Sequence, residues 1–244
     1  MAMSEKLRSS ALVIALVLVP VALLFFAANQ VDSTIIVSFT VIATIVMALL
    51  VSFERTRPRA RDLMPIVVLA AVAIAGRIVF AALPNFKPVT AIVIIAGIVF
   101  GRRAGLMTGM LAALGSNLFF GQGPWTPWQM YAWGLVGYLA GVLFSGGMPE
   151  RDRVLPVFVY GFMACLLYGF IMDTQHVLFF VRPLSVQSAL TGYIMGFPWS
   201  VVHGVATVIF LMPTLIPWGG RLDRIKRKYG LDAGEKPTLE TPES

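Results

Sequence analysis

The chain has little charge and almost no cysteine. Of its 244 residues 13% are charged, and Cys165 is the single cysteine. A water-soluble domain carries roughly 25% charged residues. The deficit excludes a solvated globule, a charge-rich disordered chain and a nucleic-acid-binding domain. One thiol inside an apolar run forms no intramolecular disulfide and reports no compartment. Acidic residues are fewer than basic ones, twelve against nineteen, and all twelve read as loop or tail residues. The sequence has no G-x-x-x-x-G-K-[ST], which excludes a P-loop ATP site. It has no H-E-x-x-H and no cysteine cluster, which argues against zinc. It shows neither paired carboxylates nor an activated nucleophile, so no catalytic residue is predicted.

What fills the chain instead is hydrophobic residue, 58% of the total. Runs free of acidic or basic side chains cover 10–28, 34–53, 63–83, 89–100, 104–120, 127–145, 154–172 and 189–217, with only Arg77 and His203 as ionisable interruptions. A membrane-crossing helix needs about 17–25 such residues, and seven of the eight runs qualify. The fourth is short. From Lys87 to Arg102 a helix advances about 22 Å, against roughly 30 Å of hydrocarbon. Such a segment crosses a sheltered region, lines a cavity, or lets its ends snorkel.

The basic residues fix an orientation. With eight spans, one side collects Lys6, Arg8, Arg55, Arg57, Arg59, Arg61, Arg102, Arg103, Arg151, Arg153, Arg221, Arg224, Lys226, Arg227, Lys228 and Lys236; the other has Lys87 and Arg182. The positive-inside rule then makes the first side, with both termini, cytoplasmic. This asymmetry also requires the short fourth run to cross. The first run follows a basic segment but is long and lacks a small-x-small cleavage pattern, so it reads as an uncleaved helix. The expected organisation is an all-α integral membrane protein. Two transmembrane helices occupy residues 1–60, a six-helix core 61–220, and a polar cytoplasmic tail 221–244.

The outer connections hold the chemistry. Gly121-Gln122-Gly123-Pro124-Trp125-Thr126-Pro127-Trp128 leads into Gln129, Tyr131 and Trp133, and Asn117 lies just before it. Rigid aromatic area mixed with amides makes a ligand platform. An interfacial aromatic belt accounts for Trp125 and Trp128 but not for the glycines, prolines and glutamines. Phe86 and Lys87 sit in a short Pro-bounded loop, where Lys87 meets an acidic ligand group or a lipid phosphate. Asp173 and His176, three apart, share a face if helical. Arg77 needs a partner at its depth. Asp173 is the carboxylate at hand, and a structural pair and a ligand contact both remain open. His203 reads as an interhelical hydrogen-bonder. Ala71 and Ala75, at i and i+4, allow close helix approach, either internal or to a second membrane protein. Gly105, Gly109, Gly134, Gly137 and Gly141 predict internal packing.

The stretches Ala75-Gly76-Arg77 to Val89-Thr90, Gly101-Arg102-Arg103-Ala104-Gly105, Ser116-Asn117 and Gly121 to Gln129 resemble those of a substrate-binding (S) component of an energy-coupling factor (ECF) vitamin transporter. The similarity covers roughly residues 63–218. It is greatest to the cobalamin-type S components, which share the G-Q-G-P-W-T-P-W run. The resemblance implies a non-enzymatic capture subunit. It would bind cobalamin or a corrinoid precursor at the outer face as cargo and hold no cofactor of its own. Delivery would follow by toppling in the lipid bilayer while docked to a transmembrane coupling protein with two ABC-type ATPases. It further implies that Ala71 and Ala75 contact that coupling protein. The expected pocket is Asn117, Gln122, Trp125, Trp128, Gln129, Lys87, Phe86 and Tyr131, with Asp173 and His176 beside it. Another vitamin, a nucleobase-like heterocycle or a self-sufficient carrier are the competing readings.

Overall fold

The computed structural model describes residues 60–144 and 154–228, together with Thr40, Ile42, Ala43, Thr44 and Val46. The remaining stretches, which include the first predicted span and most of the second, lie outside the described residues. Every described element is an α-helix: α1 (Ala60–Val79), α2 (Val89–Phe100), α3 (Arg102–Phe120), α4 (Thr126–Leu143), α5 (Leu155–Phe180) and α6 (Val186–Lys228). Among the described residues three helical stretches are long and apolar enough to cross a membrane: Arg61–Val79, Leu155–Phe180 and Val186–Lys226. Among the other described helices, α3 and α4 are less apolar and α2 is short. Helix α3 carries Gly105, Thr108, Gly109, Gly115, Ser116 and Asn117.

Helix α2 organises the rest. Its sequence is Val-, Ile- and Ala-rich on all sides, the pattern of a helix with no exposed stripe. Every residue from Val89 to Val99 is buried. It packs against α1, α3, α4, α5 and α6. The short run is therefore a central strut enclosed by longer helices, which is the sheltered alternative for this segment. It begins after Pro88, whose missing N–H is harmless at a helix start. It ends at Gly101, where φ is +88° and a side chain would be strained. Gly121, at φ +94°, ends α3 in the same way.

The predicted glycine seam forms. A Cβ on Gly105 would overlap the carbonyl of Gly137, and one on Gly137 would overlap that of Gly105. Gly97 and Gly109 likewise face the backbone of α4. Small residues let α2, α3 and α4 approach to backbone contact, where dispersion and close packing replace large side chains. By contrast, the outer surface is large and apolar, with Met64, Val67, Val79, Leu155, Val159, Met163, Ile194 and Met195 each more than half exposed.

One expectation is corrected here. The span predicted to end at residue 172 continues as α5 to Phe180, so Asp173 is a helical residue and not a loop residue. No Gly or Pro interrupts that stretch, and Gly196 of α6 leaves the room that the Asp173 carboxylate fills. The last helix passes Pro198, Pro213 and Pro217 and runs to Lys228, so the first residues of the polar segment 221–244 are helical. Arg, Leu, Ile and Lys there are good or adequate helix formers, and Leu222 packs against the core.

Candidate functional site

One end of the bundle, called the upper end below, gathers the 80–88 and 121–125 connections. Its centre is Asn117, in the last turn of α3 and 1% exposed. The Asn117 amide nitrogen donates to Thr126 Oγ1 at 3.1 Å and to Gln129 Oε1 at 2.8 Å. Its oxygen accepts from Arg77 Nη1 at 2.9 Å. The same guanidinium nitrogen donates to Ser116 Oγ. Thr126 in turn donates to Gln122 Oε1 at 2.8 Å, and Gln122 Nε2 donates to the Leu114 carbonyl at 2.9 Å. The loop 121–125 is thus tied to both helices it joins, and one amide links α1, α3 and α4.

Arg77 does not pair with Asp173. Its guanidinium lies over the rings of Phe120, at 4.7 Å, and Trp133, at 5.0 Å. Cation–π contacts and neutral oxygens take the place of a carboxylate. The reason is topological. Helix α1 packs against α3 and α2, and Arg77 reaches Trp133 of α4, whereas Asp173 faces Gly196 of α6. Below Arg77 the polar chain continues. Trp133 Nε1 donates to Thr90 Oγ1 at 3.1 Å, and Thr90 shares a hydrogen bond of 2.8 Å with His203 Nε2. Trp133 stacks on Tyr168 at 4.8 Å, and Tyr168 meets His203 edge-on at 5.1 Å. His203 is therefore an interhelical hydrogen-bonder, joining α6 to α2.

The other predicted residues fall in three places. Lys87 and Phe86 border the site. Lys87 Nζ donates to the Leu83 carbonyl at 3.0 Å, and Phe86 packs with Phe80 and Phe210 at 6.3 and 5.3 Å. Burial, and then the neighbouring charge of Arg77, hold the Lys87 ammonium below the usual lysine range. Trp125 is half-buried over Gly123. Trp128 and Tyr131 are 0% exposed and belong to the packed core; one turn into α4 the bundle has already closed around them. Asp173 and His176 lie apart from the Asn117 network. They line a cavity of about 760 Å³ between α5 and α6 with Ser185, Ser188, Thr191 and Trp199. Asn85 Nδ2 to the Trp199 carbonyl, 3.4 Å, connects the 80–88 loop to its edge.

Sequence reasoning did not select Ser116, Phe120 and Thr90. The first two follow from asking what partners Arg77, since both flank Asn117 within one turn or so of α3. Thr90 carries no such signal, because a lone threonine in an apolar run is indistinguishable from a helix back-bonder. Among the described residues no cluster of three or more His, Cys, Asp or Glu is placed to hold a metal.

A sequence profile of a family of unknown function, DUF6580, matches residues 56–216. The chain belongs to this DUF6580 family. No curated protein and no solved structure matches it. The matched stretch begins just before α1 and ends within α6, so the Arg77–Asn117–Gln129 network and the α2 strut both belong to the DUF6580 region. The runs 10–28 and 34–53 precede it.

Proposed function

We propose that this DUF6580 protein is a multi-pass membrane protein of eight spans with both termini cytoplasmic. We read it as the substrate-capture (S) component of an ECF-type importer in a prokaryotic cytoplasmic membrane. Its ligand on this reading is cobalamin or a corrinoid precursor, taken up at the upper, outward end. Separate ATPases and a coupling protein drive its release. The observation that carries the reading is the amide-and-aromatic network around Asn117. It joins α1 to the two helices, α3 and α4, between which the G-Q-G-P-W-T-P-W run lies, and an amide-rich, bulky ligand suits such a site. Two further features support it. The helices α1, α5 and α6 each expose large apolar side chains, of the kind that contact lipid. Ala71 and Ala75 are exposed on α1 within a stripe that includes Met64, Val67, Val68 and Val72, a face open to a second membrane helix.

The test is cobalamin binding to detergent-purified protein, followed by visible absorbance through gel filtration and then by calorimetry. Stoichiometric co-elution with submicromolar affinity is the expected result. Well-folded protein that carries no corrinoid through the column removes cobalamin and directs the search to other vitamins. Asp173 sits inside a helix, so reconstitution alone in liposomes is an essential control. Uptake without any ATPase would identify a self-sufficient carrier.

A further inference from the structure

Two cations, Arg77 and Lys87, lie at the Asn117 network, and among the described residues no carboxylate is in ion-pair reach of either. The residues beside them are packed together, Gly76 against the ring of Pro88. Gly76 approaches Pro88 so closely that a Cβ would lie 2.5 Å from the proline Cγ, and the residues next to these two are Arg77 and Lys87. Only one guanidinium nitrogen of Arg77 is engaged, by Ser116 and Asn117. Nε and Nη2 carry no hydrogen bond among the described residues. A half-buried cation without a counter-charge is costly in a protein interior and more so within a membrane. The guanidinium lies over the rings of Phe120 and Trp133, and Phe120 is 41% exposed, so this flank of the network reaches the surface of the bundle.

The geometry points to an oxyanion subsite. Arg77, with Lys87 beside it, receives a phosphate or carboxylate group carried by the bound solute, and the anion supplies the missing charge. A planar guanidinium offering two adjacent N–H groups suits a bidentate oxyanion, and a lysine adds a point charge. The inference rests on the capture-subunit reading and narrows it. Of the corrinoids, the site selects those bearing the nucleotide phosphodiester over cobinamide, which lacks it.

The experiment compares cobalamin and cobinamide binding, by calorimetry, to wild-type protein, Arg77→Met and Lys87→Met. Wild type is expected to prefer cobalamin at least tenfold. Both variants lose that preference by weakening cobalamin and sparing cobinamide. Equal loss of both ligands, or a preference that survives both substitutions, overturns the subsite. Lys87→Met lies on a loop and keeps the test alive should Arg77→Met fail to fold. If neither corrinoid binds wild type, the cobalamin reading fails and the subsite is judged separately. Thermal unfolding in non-ionic detergent is followed against inorganic phosphate at constant ionic strength. A saturable rise in wild type that Arg77→Met abolishes and Lys87→Met reduces upholds the subsite. No rise, or an equal rise in all three proteins, overturns it. A rise with added phosphatidylglycerol but none with inorganic phosphate also overturns it, by assigning the cations to a lipid headgroup.

Discussion

Asn117 shows what a single buried amide can organise. Its two donors and one acceptor meet Thr126, Gln129 and Arg77, so three helices depend on one side chain. Replacing it by leucine strands these groups, at a cost of about 1–3 kcal/mol for each left buried and unmet. Asn117→Leu is therefore expected to lower the thermal unfolding midpoint in detergent sharply and to weaken ligand binding. Gln122→Ala, at an exposed position, costs about 1 kcal/mol or less on the same measurement. If the two substitutions prove equally mild, the network is ornamental to stability. At this scale the sequence was partly legible. Asn117, Gln122 and Gln129 stand out as amides beside an aromatic loop. Their hydrogen-bond partners do not, because a partner is a matter of distance across helices. Depth alone offers Asp173 as one of two readings for Arg77, and the packing of α5 on α6 sets Asp173 against Gly196 instead.

At the scale of elements, close approach depends on the absence of side chains. Gly105 and Gly137 face each other so tightly that either Cβ would strike the other's carbonyl. Overpacking of this kind costs about 1–3 kcal/mol where side chains can yield, and backbone yields less. Gly137→Ala is expected to lower the yield of monodisperse protein and its unfolding midpoint. Gly220→Ala, with nothing within 4 Å of the new methyl, leaves both unchanged or slightly improved. An equal response at the two sites would contradict the seam. The seam also explains α2. Twelve residues span about 18 Å, too little for a bilayer by themselves, but a strut enclosed by five neighbours has no lipid to match.

For the whole molecule, the proposed function separates a ligand-binding end from a docking face on α1. Ala71 and Ala75 lie on the exposed side of α1, away from Ile66, Leu69 and Ala73. Ile42 and Val46, from the second predicted span, join the core cluster that contains those three residues and leave the alanines exposed. Ala71→Leu and Ala75→Leu are expected to abolish ATP-dependent uptake in cells while leaving cobalamin affinity within about twofold of wild type. Loss of binding in either variant would show that the alanine face serves the fold and not a partner.

The sequence alone determined that the described part of the chain is built of largely uncharged helices, where most of those begin, and that small residues line their contacts. These are local or periodic properties: an uncharged run, a glycine spacing, a proline. What only the tertiary structure decided is which side chains meet. It enclosed α2, carried α5 past Asp173, buried Trp128 and Tyr131, and set Arg77 between two aromatic rings and two neutral oxygens. Composition fixes how much apolar surface must be covered. Which polar groups are covered along with it depends on the rotation and crossing of helices, and those are set by the packing of the whole bundle.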